Sequence, residues 1–289
     1  MANIAPQQAS LIASVDAAFT DQIWTLRHAP ACQQLELAGR GVPWLISSLA
    51  LDEQLQRHLF DVSRDELLDD VVAAQCRIDQ TGAYRALVDR WRNQPGGQGW
   101  VLITGLFSFG LSVQDVGLLA ALGVLAAALG VLASQAGGPL LAAGDPALAG
   151  DDAQALAGWN TLRQREVAPW IGLAAPRLLL RLPCGKASDP VERFAFEELG
   201  ATPVHAQLLW GSGGLACALL IGHAFTVRGW ELEPGAELEI GDLPAYTFVE
   251  DGERELQACA EHDLGEAPSE MLLAAGLMPV MSHRHRAMR

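Results

Sequence analysis

Positive charge is scarce in this chain. Its 289 residues include 19 Lys and Arg against 34 Asp and Glu, a formal net charge of −15. Binding to a phosphate backbone is driven by Lys and Arg displacing counterions, so a chain this acidic gains nothing there. An anionic membrane surface would repel it. The basic residues pool only in the tail His283-Arg284-His285-Arg286-Ala287-Met288-Arg289, which reads as a frayed, soluble terminus. Cysteine is also sparse. Cys32, Cys76, Cys184, Cys217 and Cys259 are odd in number and widely spread, with no CxxC pair of the kind a zinc or dithiol redox site uses. A reducing compartment follows, with Cys217 expected as a buried free thiol in the apolar run Leu215 to Ile221. Met1-Ala2-Asn3-Ile4-Ala5-Pro6 has neither the basic start nor the apolar stretch of a secretory signal, so the cytoplasm is the expected location. No GxSxG nucleophile elbow is present.

Apolar residues, in contrast, are abundant. Half the chain is hydrophobic and 18% is charged, which excludes a disordered polymer. The length suits one large domain or two modest ones. Residues 1–289 are read as a single unit, with a helical part over 1–95 and an α/β core over 96–289 as its possible subdivisions. From Val116 to Ala133 the sequence VGLLAALGVLAAALGVLA carries no charge. Its length reaches that of a membrane span. Its Ala and Gly content supplies little transfer energy, and basic and aromatic anchors are missing at both ends. A long, buried Ala/Gly/Leu-rich helix is the preferred reading, without membrane insertion.

The periodicity predicts a helix over 9–28, where Leu11, Ile12, Val15, Phe19, Ile23 and Leu26 recur at helical spacing. A break at Pro30 leads into a second helix over 31–49. Gln56 to Val62 is predicted as a short strand. Ser63-Arg64-Asp65-Glu66 fits a capping box opening a helix through Leu67, Leu68, Val71 and Val72. A further helix carries Tyr84, Leu87, Val88 and Trp91. Pro95 to Gly99 is a loop, and Trp100 to Gly105 the best strand of the first half. Pro139 to Ala143 is a short apolar run before the turn Gly144-Asp145-Pro146. Residues 151–168 read as an exposed helix, 177–181 and 205–210 as strands, and 215–228 as a helix. Short β-segments are expected around 238–240 and 247–249. A last helix, Ser269 to Ala275, ends at Gly276 in C-cap fashion. Strands alternate with helices through the middle, so the class is α/β, a mixed sheet flanked by helices.

Several clusters invite a chemical reading. Gly211-Ser212-Gly213-Gly214-Leu215-Ala216 follows an apolar strand and opens an apolar helix, the setting in which a GxGxxG/A turn holds a pyrophosphate. Glu231 or Glu233 stands at the distance of a ribose ligand. The motif comes late in the chain, Trp210 crowds it, and the following strand is poor; a nucleotide- or dinucleotide-binding enzyme centred here is the alternative reading. Arg181 to Lys186 lacks the preceding glycine of a phosphate loop and reads as a tight turn. Cys259-Ala260-Glu261-His262-Asp263 gathers thiol, carboxylate and imidazole, yet no HxxxH or HxH partner completes it. His283-Arg284-His285 is HxH at a terminus. Asp69-Asp70 and Glu197-Glu198 are adjacent carboxylates that point apart and suit solvated faces. Among eight tryptophans, Trp100, Trp170, Trp210 and Trp230 sit at strand or turn edges, mostly as packing, with one or two as interface anchors. No residue is assigned a catalytic, cofactor-binding or metal-ligating role, and no cofactor is expected.

The order of segments carries a resemblance. Leu11-Ile12 with Asp16 and Ile23, His28-Ala29-Pro30, Gln34-Leu35-Glu36 and Arg40-Gly41 are similar to an "ID…Q…IL…H.P.FQ.LE..WRGL" opening. Ser63 to Asp70 resembles an "EL..D" helix. Ser108-Phe109-Gly110, Asp115 and Leu118-Leu119 resemble "F.FG…D..LL", and Pro139 to Ala143 resembles "PF.A.A.P". Trp159, Leu162-Arg163, Ile171-Gly172-Leu173, Pro176-Arg177 and Arg181 to Gly185 follow "W..LR…IGL..PR.L.R.PYG", with Cys184 in place of Tyr. Phe194 to Glu198, Leu209-Trp210-Gly211, Phe225, Gly229-Trp230, Leu243-Pro244, Glu261 and Gly276 to Pro279 continue the series. The chain is similar in this order to the large subunit of the type VI secretion contractile sheath, the TssC/VipB family, over about residues 11 to 281. The resemblance implies a non-catalytic structural or assembly protein, a divergent or accessory sheath or baseplate component. Expected partners are the small sheath subunit, the full-length large sheath subunit or baseplate proteins, in a hetero-oligomer. Relative to that family the chain reads as shortened, without the N-terminal arm and the C-terminal region that pairs with the small subunit.

Overall fold

A computed structural model describes residues 6–49, 55–110, 129–150, 156–186, 188–192, 196–199, 204–233, 239–250, 252–283 and 287–288. Two long helices open it, α1 (Pro6–His28) and α2 (Pro30–Ser48). The break between them falls where Pro30 takes the first helical position, which needs no backbone N–H. α3 (Arg64–Ala73) starts at the anticipated capping box: the Glu66 amide donates to Ser63 Oγ at 3.2 Å, and the Ser63 amide donates to the Glu66 carboxylate at 2.7 Å. The Tyr84 to Trp91 helix is shorter than its apolar spacing suggests. It consists of α4 (Gly82–Tyr84) and one wide turn over Arg85–Asp89. Residues 129–136 form α5, whose Leu129, Leu132, Ala133 and Ala136 are buried. The remainder of the apolar 116–133 stretch lies outside the described residues. Among those described, no helix is long and apolar enough to cross a membrane.

The principal sheet has four parallel strands in the order β1 (Ile103–Phe109), β2 (Leu140–Gly144), β3 (Ile171–Ala175) and β8 (Met278–Pro279). Ile103 pairs with Leu140, Leu140 with Ile171, and Ala174 with Met278. Both faces are covered, which is why LLAAG in β2 is continuously apolar instead of alternating. Leu140, Ala142, Leu173 and Ala175 point into a core with α3, α5, α6 (Ala157–Arg163) and α8 (Glu266–Ala274). Ala174 faces the opposite core, which holds Ala216 and Leu219 of α7 (Gly213–Arg228) and, at its margin, Trp44 and Leu45 of α2. The class is therefore α/β with a helical N-terminal part. Antiparallel pairs surround the sheet: β4 (Leu178–Leu179) with β5 (Trp210–Gly211), β6 (Tyr246–Glu250) with β7 (Glu253–Gln257), and β9 (Ser282–His283) with β10 (Ala287–Met288). α8 stops at Gly276, whose φ of 81° is the left-handed cap expected there.

Several sequence expectations need correction. Gln56 to Val62 is irregular: Leu59 and Phe60 are exposed, and no strand pairs with the segment among the described residues. Its His58 instead meets Trp91 and Trp100 edge-on, with ring centroids 4.2 and 5.1 Å away. The strand expected at Trp100 begins at Ile103 and runs on to Phe109. Residues 205–210 are mostly a 3-10 turn, His205–Gln207, and only Trp210 reaches β5. The exposed helix of 151–168 is reduced to α6, with 151–155 outside the described residues. Ile240 makes a single bridge to Met288, while Leu238 is outside the described residues. β3, inside the sheet, has no strand signal of its own in the sequence; its five residues carry two alanines and a glycine, which hide its β character.

Candidate functional site

The glycine turn was the sharpest chemical signal, and its geometry gives it a packing role. Ser212 caps α7, accepting from the Gly214 amide at 3.2 Å and donating to the Gly105 carbonyl at 3.3 Å. A Cβ on Gly213 would lie 2.9 Å from the Pro176 carbonyl oxygen, and one on Gly214 would lie 2.9 Å from Ala142 Cα. The glycines let the start of α7 sit against the backbone of β2 and β3. All of Trp210 to Ala216 is buried, so the space where a phosphate would rest is filled by protein.

The other clusters separate. Cys259 is fully buried, with Sγ 3.3 Å from the Ala287 carbonyl oxygen, and its thiol is not among the donor atoms gathered around Glu261 and His262. Within HxH, His283 is in β9 and residues 284–286 are outside the described set. All five cysteines are free, and burial pushes the Cys217 thiol up to about 11. The paired carboxylates are not simply solvated. Asp70 accepts from the amides of Gly82 and Ala83, both at 2.9 Å, anchoring α4, and Glu198 is buried. Trp210 is core and donates to the His205 carbonyl at 2.9 Å; Trp230 is 77% exposed.

Arg181, expected in a tight turn, is the centre of an ion network. It lies just beyond β4 and is nearly buried. Its Nε and Nη2 donate to Glu36 of α2 at 2.7 and 3.2 Å; its Nη1 and Nη2 donate to Glu198 at 2.8 and 2.6 Å. Arg27 of α1 reaches Glu36 and Glu198, each at 3.2 Å, and Arg40 adds a 2.8 Å bond to Glu36. The Cys184 amide donates to Glu198 at 2.7 Å. Burial by itself would raise both carboxyl pKa values. Hydrogen bonds from Arg181 to both, from the Cys184 amide to Glu198 and from Arg40 to Glu36, together with the nearby guanidinium charges, reverse that and hold both below the usual carboxylate range. The network fastens the two N-terminal helices to the sheet-bearing body.

It follows that stability falls in acid. A depressed folded pKa contributes stability above the ordinary carboxylate value, and that contribution disappears as pH drops through the folded values. Chemical denaturation at stepwise pH is expected to show unfolding free energy decreasing as pH falls through and below the ordinary carboxylate range, with a shallower slope in Arg181→Ala. An identical slope in the variant would remove the network from this account.

The helix so fastened keeps its apolar stripe in solvent. Leu11, Ile12, Val15, Phe19 and Leu26 are all at least half exposed, with Leu11 at 66% and Phe19 at 57%. The spacing of these residues predicts the helix and its apolar face, and leaves open what covers that face. The stripe extends over about 22 Å at roughly 1.5 Å per residue. A contiguous apolar strip of this size, rimmed by polar residues, marks an interaction surface.

The profile of the VipB family, described as EvpB/VC_A0108, tail sheath N-terminal domain, matches residues 9–288. This chain belongs to that family. The type VI secretion system sheath protein TssC1 of Pseudomonas aeruginosa is 30% identical over 292 aligned residues, covering 96% of this VipB-family chain and 58% of TssC1. The chain thus spans under two thirds of that relative's length. The match includes α1, α2 and the Arg181 network as well as the parallel sheet, so the exposed stripe lies on a helix that is part of the family domain.

Proposed function

We propose that this chain is a non-catalytic structural component of a type VI secretion contractile sheath, and that it assembles through the α1 stripe with the small sheath subunit. The observation that carries the reading is the row Leu11, Val15, Phe19 and Leu26, solvent-exposed on a helix locked by Arg27 to the body. A preorganised apolar helix offers its i, i+4 ridge to a partner helix without a folding cost at the moment of docking. Family membership and the name of TssC1 support a sheath setting. A hetero-oligomer in the cytoplasm follows from this reading, with residues 1–95 as the docking part and 96–289 as the body.

The test is co-expression with a tagged small sheath subunit. Wild-type chain is expected to co-purify with it. Val15→Asp/Phe19→Asp is expected to lose at least about 3 kcal/mol of binding, the scale of an interface centre, and drop out of the complex. Its own thermal midpoint is expected to stay within a few degrees of wild type, because half or more of each residue is already in water. Retained co-purification of the double variant would overturn the role of α1; capture by baseplate proteins alone would overturn the choice of partner.

A further inference from the structure

His205, Glu261 and His262 meet on one surface although they come from separate parts of the chain. His205 belongs to the 3-10 turn before β5, whereas Glu261 and His262 follow β7. Donor atoms of the three residues lie within 4.8 Å of one another. His205 Nε2 is 3.3 Å from Glu261 Oε1. Two ligands of a tetrahedral zinc ion, with bonds near 2.0–2.1 Å, stand about 3.3 Å apart. One edge of such a site is therefore already at its required length. The two imidazole rings lie almost parallel, 7° apart with centroids 5.6 Å from each other, and His205 stacks on Trp210.

From this geometry we infer that His205, Glu261 and His262 form a binding site for a borderline transition-metal cation of the Zn²⁺ type, with water in the fourth position. Two neutral imidazoles and one carboxylate are the donor set such ions prefer over Mg²⁺ or Ca²⁺. Glu261 is buried and oriented by its neighbour: Arg177 Nε donates to Oε2 at 2.8 Å, and its Nη2 reaches Oε1. The first of these bonds leaves Oε1 as the metal-facing oxygen and fixes the carboxylate from behind, as an outer-sphere partner does. The second competes with the metal for Oε1, which sets the affinity below that of closed structural zinc sites. The bound ion would tie the turn before β5 to the segment after β7. The site does not depend on the sheath reading, since it uses none of the α1 or Arg181 residues.

Isothermal titration of the chelator-treated full chain with ZnCl₂ tests it, alongside His205→Asn, His262→Gln and a His283→Ala/His285→Ala control. One equivalent of Zn²⁺ is expected to bind wild type and the tail control alike, and about tenfold or more weaker to each of the first two variants. Cu²⁺ is expected to quench Trp210 through the stacked His205, with the quenching lost in His205→Asn. His262 is exposed, so His262→Gln keeps the test valid if His205→Asn misfolds by circular dichroism. No saturable wild-type binding, binding undiminished in His262→Gln, or binding abolished by the tail control would each overturn the site.

Discussion

Arg181→Ala is expected to lower the unfolding free energy by about 3–5 kcal/mol, the cost of leaving buried carboxylates without their counter-charge. Arg181 is the only guanidinium that makes two hydrogen bonds to each of Glu36 and Glu198 among the described residues. Glu198, with 1% of its side chain exposed, keeps only the Cys184 amide and the edge contact of Arg27 once that fork is removed. Arg27 remains, but its single 3.2 Å contacts with Glu198 and Glu36 come from the edge of the network. Arg181→Lys keeps the charge but loses the planar fork, and so falls between wild type and Ala. Urea denaturation followed by circular dichroism measures all three. Because Arg27 of α1 and Glu36 of α2 both belong to this network, Arg181→Ala is also expected to speed limited proteolysis within α1. A loss below about 1 kcal/mol would reduce the network to a surface decoration, the usual worth of exposed pairs.

Gly214→Ala pits two effects of opposite sign. Helix propensity favours Ala by about 1 kcal/mol at most. Packing opposes it, because the new methyl would lie 2.9 Å from Ala142 Cα and N, which are backbone atoms of a central strand and unable to swing aside. Overpacking of this kind costs about 1–3 kcal/mol and occasionally more, so a net loss of about 2 kcal/mol is expected. Gly39→Ala in α2 provides the contrast. A Cβ there meets nothing within 4 Å, and the variant is expected to gain up to about 1 kcal/mol. Thermal melts of the pair decide the matter: equal shifts in the same direction would mean that close approach is not what the glycine of α7 provides.

Much of the architecture was legible in the residues. The capping box at Ser63, the break at Pro30, the cap at Gly276 and the amphipathic spacing of α1 are local, and local signals survive in a linear sequence because they involve atoms a few residues apart. Strands were less legible. β3 is small and bland, since its partners on both sides and the cores above and below define it, and none of these is near in sequence. Residues 205–210 looked like a strand because core positions are apolar whatever their backbone shape.

The sequence by itself determined an acidic, apolar-rich α/β chain with two leading helices and the segment order of the VipB family. Tertiary structure alone decided which side of α1 faces water, since helical periodicity identifies an apolar face and not what covers it. It also decided that the glycines before α7 serve contact with β2 and β3, and that Glu198 is buried on Arg181 instead of solvated beside Glu197. In each case the deciding atoms lie far apart along the chain, and only folding brings them to within hydrogen-bonding or van der Waals distance.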